Sequence, residues 1–160
     1  MKLDNIRKIL LGQIFTKEVL DKVNISIGNS YYTRIGTVIV EDKVASITLD
    51  GTIYLNLKHY EPFSLENIVL LAHELVHVSQ QHKEKFSIFG IRYFFEWLKY
   101  LITLGNSRSA YLNIKYEKEA REVETDVYYW LRFFPFYVRN EKDMKRWVES
   151  NPYEGKIVSV

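Results

Sequence analysis

One apolar stretch with helical spacing constrains the fold of this chain more than any other part of the sequence. Residues 64–81 read SLENIVLLAHELVHVSQQ, and their apolar side chains recur at i, i+3, i+4 and i+7. Ser64 is a good N-cap residue, and Pro62 precedes it where a missing N–H does no harm. Further apolar residues extend around almost the whole circumference, so we expect a buried central helix.

Two histidines and a glutamate lie inside this predicted helix, in the order His73, Glu74, Leu75, Val76, His77. Histidines four residues apart on a helix are offset by about 40° and about 6 Å, so their imidazoles can reach one ion. Glu74 lies beside that face, where it can hold an attacking water as a general base. Chance matches to HExxH are common, but the apolar middle positions and the helical flanks favour a zinc site.

A catalytic zinc site needs a third protein ligand, and the other two histidines lack ligand spacing. A later predicted helix, which begins YEKEAREVETD, carries five acidic residues. We expect Glu119 to be the ligand because it neighbours the apolar side of that helix, with Glu122 or Asp126 available to orient a histidine. Glu117, which shares the opposite flank with Glu124, is the alternative ligand. It also remains open that all five form a solvated helix face.

The remaining sequence predicts an α+β fold in one domain. An Asp-Gly turn at 50–51 joins two strands in a hairpin, whose register places Ser46 and Thr48 on the same face as Ile53 and Leu55. Strands are expected over residues 37–40, 44–49 and 52–57. Helices are expected over residues 2–11, 16–23, 86–104, 116–134 and 141–148, with loops at 24–29 and 105–107. We expect a small antiparallel or mixed sheet packed on the central helix.

Composition excludes several classes of protein. The net charge of +2 on 160 residues gives no argument for binding nucleic acid. The absence of cysteine excludes disulfides, thiolate zinc sites and cysteine nucleophiles. Residues 1–15 scatter charges among apolar residues and lack the features of a signal peptide, so we expect a cytoplasmic protein.

The sequence resembles the gluzincins, which are zinc peptidases with a glutamate ligand, and more narrowly the small zincin-like domains of bacteria and phages. The matching pieces are a hairpin at 47–57, the LLAHELVHVSQ helix at 70–80, an aromatic helix at 93–104 and YEKEA at 116–120. The resemblance implies zinc bound by His73, His77 and Glu119, and hydrolysis of a peptide or protein substrate with Glu74 as base. Many gluzincins have Asp four residues after the glutamate ligand, and this chain departs from them with Val123.

Two other functions remain open. The chain could be a zincin-like structural or interaction module without proteolytic turnover, as a component of a phage particle or secretion apparatus, which would place it in a larger assembly or a virion. It could also lie on a membrane surface through residues 86–104, although packing against the central helix is favoured. The intact motif favours the peptidase, because a module without chemistry has no need for Glu74. Four tyrosines are candidates for stabilising an oxyanion: Tyr111, Tyr116, Tyr128 and Tyr129.

Overall fold

The computed structural model describes residues 2–28, 30–33, 36–39, 45–61, 63–135 and 140–159. These residues form an α+β structure, as predicted. The helices are α1 (Asn5–Leu11), α2 (Lys17–Lys22), α3 (Leu65–Glu84), α4 (Phe86–Leu104), α5 (Ser107–Asn113), α6 (Lys115–Leu131) and α7 (Glu141–Ser150). The strands are β1 (Asn24–Gly28), β2 (Ser30–Thr33), β3 (Gly36–Ile39), β4 (Ser46–Leu49) and β5 (Thr52–Asn56), and a short 3₁₀ helix covers Leu57–His59.

Three of the strands form a mixed sheet in the order β1-β5-β4, with β1 parallel and β4 antiparallel to β5. β2 and β3 pair with each other as an antiparallel ladder. The Asp and Gly at 50–51 have positive φ angles of 47° and 69°, the backbone that a two-residue type I′ turn requires. Ser46 lies opposite Leu55 and Thr48 opposite Ile53, so the predicted hairpin register is confirmed.

The central helix α3 begins after Ser64, whose side chain accepts a hydrogen bond from the backbone amide of Asn67. It runs to Glu84, beyond the predicted end at 81, and most of its residues are buried. α6 packs against α3, and so do β4 and β5, while α2 and α4 make further contacts with it. Because α3 has neighbours on several sides, apolar residues occur around most of its circumference.

The largest difference from the sequence-based expectations is β1. Residues 24–29 are expected to be a loop because they contain Gly, Asn and Ser, yet Asn24–Gly28 pairs in parallel with β5. Ile25 is buried in the core, so tertiary packing overrides weak local propensity. Similarly, α5 begins inside the predicted loop at 105–107, where the Asn106 side chain accepts a hydrogen bond from the Ser109 amide.

Other boundaries shift by a few residues. α1 begins later than predicted, at Asn5, and α6 ends earlier, at Leu131. The predicted strand at 37–40 corresponds to β3, whereas position 40 and the predicted turn at 41–43 lie outside the described residues.

α4 has the predicted bounds and packs against α3 and α5. Only Phe89 among its residues is buried. The apolar side chains that it exposes are Ile88, Ile91, Phe94, Phe95, Ile102 and Leu104. Within the described part of the chain, no helix combines the length and the hydrophobicity needed to cross a bilayer.

Candidate metal centre

The two motif histidines point at each other from successive turns of α3. The Nε2 atoms of His73 and His77 are 3.2 Å apart, and both side chains are buried. This arrangement follows from the four-residue spacing on a regular helix, as the sequence predicts. Two ring nitrogens at this separation can share one metal ion.

A buried carboxylate from α6 completes the group. Glu117 Oε1 lies 3.2 Å from His77 Nε2, and Glu117 Oε2 lies 3.5 Å from His73 Nε2. The Tyr93 hydroxyl donates a hydrogen bond of 2.8 Å to Glu117 Oε1. Tyr111 also faces this carboxylate. Ligand atoms of His73, His77 and Glu117 lie within 4.8 Å of one another, so these three residues could bind a metal ion.

Three features of this group fit a metal ion. Ligand atoms about 2.0–2.1 Å from a tetrahedral ion lie about 3.3–3.4 Å apart, and the three separations above are close to that value. Glu117 Oε2 is buried, and its contact with His73 Nε2 at 3.5 Å is too long for a well-formed hydrogen bond, although a buried carboxylate oxygen normally accepts one. Two imidazoles and a carboxylate are a ligand set typical of zinc.

Both histidines are oriented through their other ring nitrogen. His73 Nδ1 is 2.9 Å from Glu124 Oε2, and His77 Nδ1 is 2.8 Å from Gln80 Oε1. Each acceptor favours a proton on Nδ1 and leaves the lone pair of Nε2 free for an ion. Gln80 is itself fixed, because its Nε2 donates to the Tyr116 carbonyl at 3.2 Å and to Glu119 Oε2 at 3.0 Å.

The structure therefore differs from the expectation that Glu119 is the third ligand. Glu119 is not in the three-residue group; its carboxylate accepts from Gln80, lies 3.7 Å from Lys115 Nζ and remains 42% exposed. Glu117 and Glu124, seven residues apart, face α3 instead. The orienting side chains are Glu124 and Gln80, whereas Glu122 and Asp126, the predicted ones, are exposed.

The electrostatics of the group in the metal-free protein favour a protonated imidazole. Burial disfavours the charged form of His73, but hydrogen bonds with Glu117 and Glu124 outweigh burial and raise the pKa of His73 to about 9. Burial likewise opposes the charged form of His77, whose pKa is nevertheless raised by its hydrogen bond with Glu117. Burial acts to raise the pKa of Glu117, but the two histidines hold it well below its usual range. A metal ion must therefore displace a proton.

Glu74 lies beside the metal group and is held by the sheet. The Ser46 hydroxyl donates to Glu74 Oε1 at 2.7 Å, and the Thr48 hydroxyl donates to Glu74 Oε2 at 2.5 Å. Sequence reasoning did not assign these two residues to the site. The available signal was the hairpin register, which places two hydroxyl side chains on the otherwise apolar face that packs against α3.

The metal group and Glu74 line an open cleft of about 720 Å³. β4 forms one side and the first half of α4 contributes to another, with His73, Glu74, His77 and Glu117 between them. Of the four predicted oxyanion tyrosines, Tyr111 lines the cleft. The Tyr116 hydroxyl donates to Glu84, and Tyr128 and Tyr129 are exposed outside the lining.

Residues 37–85 match the family described as the eCIS core domain, the core domain of extracellular contractile injection systems. The match includes β4, β5 and α3 with its His-Glu-His set, and ends before α6 supplies Glu117. No curated protein and no solved structure matches the chain.

Proposed function

We propose that this protein is a zinc-dependent peptidase in which His73, His77 and Glu117 hold the metal ion and Glu74 is the general base. The observation that carries the proposal is the convergence of two imidazole nitrogens and a buried carboxylate, at separations close to those around a tetrahedral ion. A second buried carboxylate, that of Glu74, lies next to them. Two histidines and a glutamate are a known ligand set of catalytic zinc in peptidases.

The proposed chemistry divides between the ion and the side chains around it. A zinc ion in this group supplies a Lewis acid that polarises a scissile carbonyl and lowers the pKa of a water molecule. Glu74 accepts a proton from the attacking water and delivers it to the leaving amine. Ser46 and Thr48 fix the Glu74 carboxylate by one hydrogen bond to each oxygen. Tyr111 lines the same cleft and is hydrogen-bonded with Glu117, so its hydroxyl would have to turn from that carboxylate to donate to the carbonyl oxygen as negative charge develops.

The edge strand supports a peptide substrate in particular. β4 is an outer strand of the three-stranded sheet, and the segment 45–49 lines the cleft next to Glu74. An extended peptide can pair with such an edge through backbone hydrogen bonds, which hold any sequence in the same orientation. A peptide bound along β4 would cross the face of the metal group.

A second candidate is an interaction module that holds a metal ion without turnover. The similarity of residues 37–85 to the eCIS core domain favours it, because that domain suggests part of a larger assembly. A peptidase can also be a component of such an assembly, so the two candidates differ in turnover and not in location. The intact pairing of Glu74 with two hydroxyls beside the metal group favours the peptidase.

Metal content tests the ligand set first. We expect about one zinc per chain by mass spectrometry of the purified protein, and loss of that zinc in His73→Ala. Glu117→Gln and Glu119→Gln are a matched pair on one helix: the first should weaken zinc binding strongly, and the second only mildly through Gln80. Equal zinc affinity in the two variants, or a greater loss in Glu119→Gln, would contradict the assignment of Glu117.

Turnover tests the general base. Zinc-loaded protein should cleave a mixed peptide library, and a chelator should stop the cleavage. Glu74→Gln should retain zinc and lose cleavage by about 10²–10⁴-fold, the range typical of a general base. Cleavage that persists in Glu74→Gln removes Glu74 from the mechanism, and zinc-loaded protein that cleaves nothing favours the module.

A further inference from the structure

We infer that the cleft holds a large apolar side chain of a peptide beside the metal centre, in a subsite that Gly90 keeps open. The inference rests on the proposed peptidase function and goes further, because it names the class of substrate. Three observations carry it: the face of α4 that meets the metal ligands, the absence of any structural need for glycine at 90, and the character of the residues around the opening.

One face of α4 lies against the metal group. Phe89, Gly90 and Tyr93 line the cleft, and their spacing of i, i+1 and i+4 places them on adjoining parts of the helix surface. The Phe89 ring lies 6.3 Å from the His77 ring, and the Tyr93 hydroxyl donates to Glu117. Gly90 therefore lies between two residues that contact metal ligands, and the space in front of it is adjacent to the metal group.

Neither packing nor backbone conformation requires glycine at this position. A Cβ built on Gly90 has no atom within 4 Å, so no neighbour approaches too closely for a side chain. Its φ is not positive, unlike those of Gly51 and Gly105. Glycine beyond the first turn of a helix is destabilising relative to alanine, and 90 is an exposed position in the second turn of a 19-residue helix. What the missing side chain provides is open volume within the cleft.

The residues around that opening select an apolar side chain. Leu70 of α3 and Phe86, Phe89 and Tyr93 of α4 line the cleft on the side of the metal group where Gly90 lies. Among the described residues that line it there is no Lys or Arg, and its charged side chains are glutamates and the two histidines of the metal group. A free carboxylate would find no cation there apart from the metal centre. The lining therefore fits an apolar residue within a peptide and disfavours an acidic one.

Binding of two capped peptides to the whole protein tests the inference. The probes are acetyl-Gly-Phe-Gly-amide and acetyl-Gly-Ala-Gly-amide. Each is titrated into the Glu74→Gln protein, once in its metal-free form and once in its zinc-loaded form, and the amide chemical shifts of the protein are recorded. The benzyl side chain should bind at least about tenfold more tightly than the methyl, because it buries far more apolar surface. Gly90→Leu should fill the opening and reduce this preference to about twofold or less. Gly90→Ala, which leaves most of the volume, should keep it.

The outcomes separate this inference from the peptidase proposal. Equal affinity for the two peptides in the protein that retains Gly90 overturns the inference, as does equal weakening of both by Gly90→Leu or binding of neither peptide. Because binding to the metal-free protein needs no zinc and no turnover, a benzyl preference without any cleavage would refute only the peptidase. Cleavage without a benzyl preference would refute only the apolar subsite.

Discussion

Zinc binding should release about one proton from His73 at pH 7. The perturbation is addition of zinc to the metal-free protein, in which the pKa of His73 is about 9 instead of its usual 6.5. A group with that pKa is about 99% protonated at pH 7, whereas an ordinary histidine would release only about 0.2 proton. The apparent dissociation constant should then fall about fiftyfold between pH 7 and pH 9, against less than twofold for an ordinary histidine.

Calorimetry at pH 7 in buffers of different ionisation enthalpy measures the number of protons released, and competition with a chelator measures the affinity. Glu124→Gln removes one of the three carboxylates that raise the pKa of His73, so this variant should release fewer protons. Glu122→Gln, an exposed neighbour on the same helix, is the matched control and should change nothing. Release of about 0.3 proton or less by the unsubstituted protein would refute the reasoning.

Four further perturbations test the site and the fold that supports it. The raised pKa of His73 contributes stability that is complete below pH 6.5 and is lost as the pH rises through about 9, so thermal melts of metal-free protein should shift downward over that range. In peptide-cleavage kinetics, Thr48→Val should lower kcat about tenfold with zinc content unchanged, because Glu74 loses a charge-assisted hydrogen bond. Thr48→Ser, which keeps the hydroxyl, should retain activity. Gly51→Ala should cost about 1–2 kcal/mol in urea unfolding because its φ is 69°, and Leu75→Ala about 2–5 kcal/mol because that side chain is fully buried.

The first three of these predictions each have an outcome that would contradict them. A melting temperature of metal-free protein that stays constant from pH 6.5 to pH 9.5 would show that the metal group does not stabilise the fold by charge. Thr48→Ser as inactive as Thr48→Val would show that the hydroxyl is not the relevant feature. Unfolding free energies unchanged in Gly51→Ala would mean that the turn relaxes to another conformation.

Local signals account for the parts of the fold that the sequence predicted. The periodicity of α3 and the Asp-Gly turn at 50–51 each depend on a few neighbouring residues, and both are as predicted. β1 could not be found in this way, because it is stabilised by parallel pairing with β5 and by burial of Ile25. Its own residues carry mainly turn propensity, and pairing with a distant strand leaves no periodic pattern in so short a segment.

The third carboxylate shows the same limit at the site. Helical spacing correctly separates the acidic residues of α6 into two flanks, one with Glu117 and Glu124 and the other with Glu119. Ala120, which is fully buried, borders both flanks, so apolar periodicity alone does not decide which one faces α3. That choice depends on how α6 docks against α3, which only the three-dimensional structure describes.

Two adjacent glutamines connect the central helix to the two elements that complete the site. Gln80 accepts from His77 and donates to the Tyr116 carbonyl, so it ties the metal-binding turn of α3 to α6. Gln81 accepts from the Gly51 amide at 3.3 Å and donates to the Thr48 carbonyl at 2.9 Å, so it ties the same turn to the hairpin that holds Glu74. Because neighbouring side chains on a helix point about 100° apart, the two glutamines reach different partners. The residues that follow the motif therefore fix the metal ligands and the general base through separate contacts, although both depend on one helix.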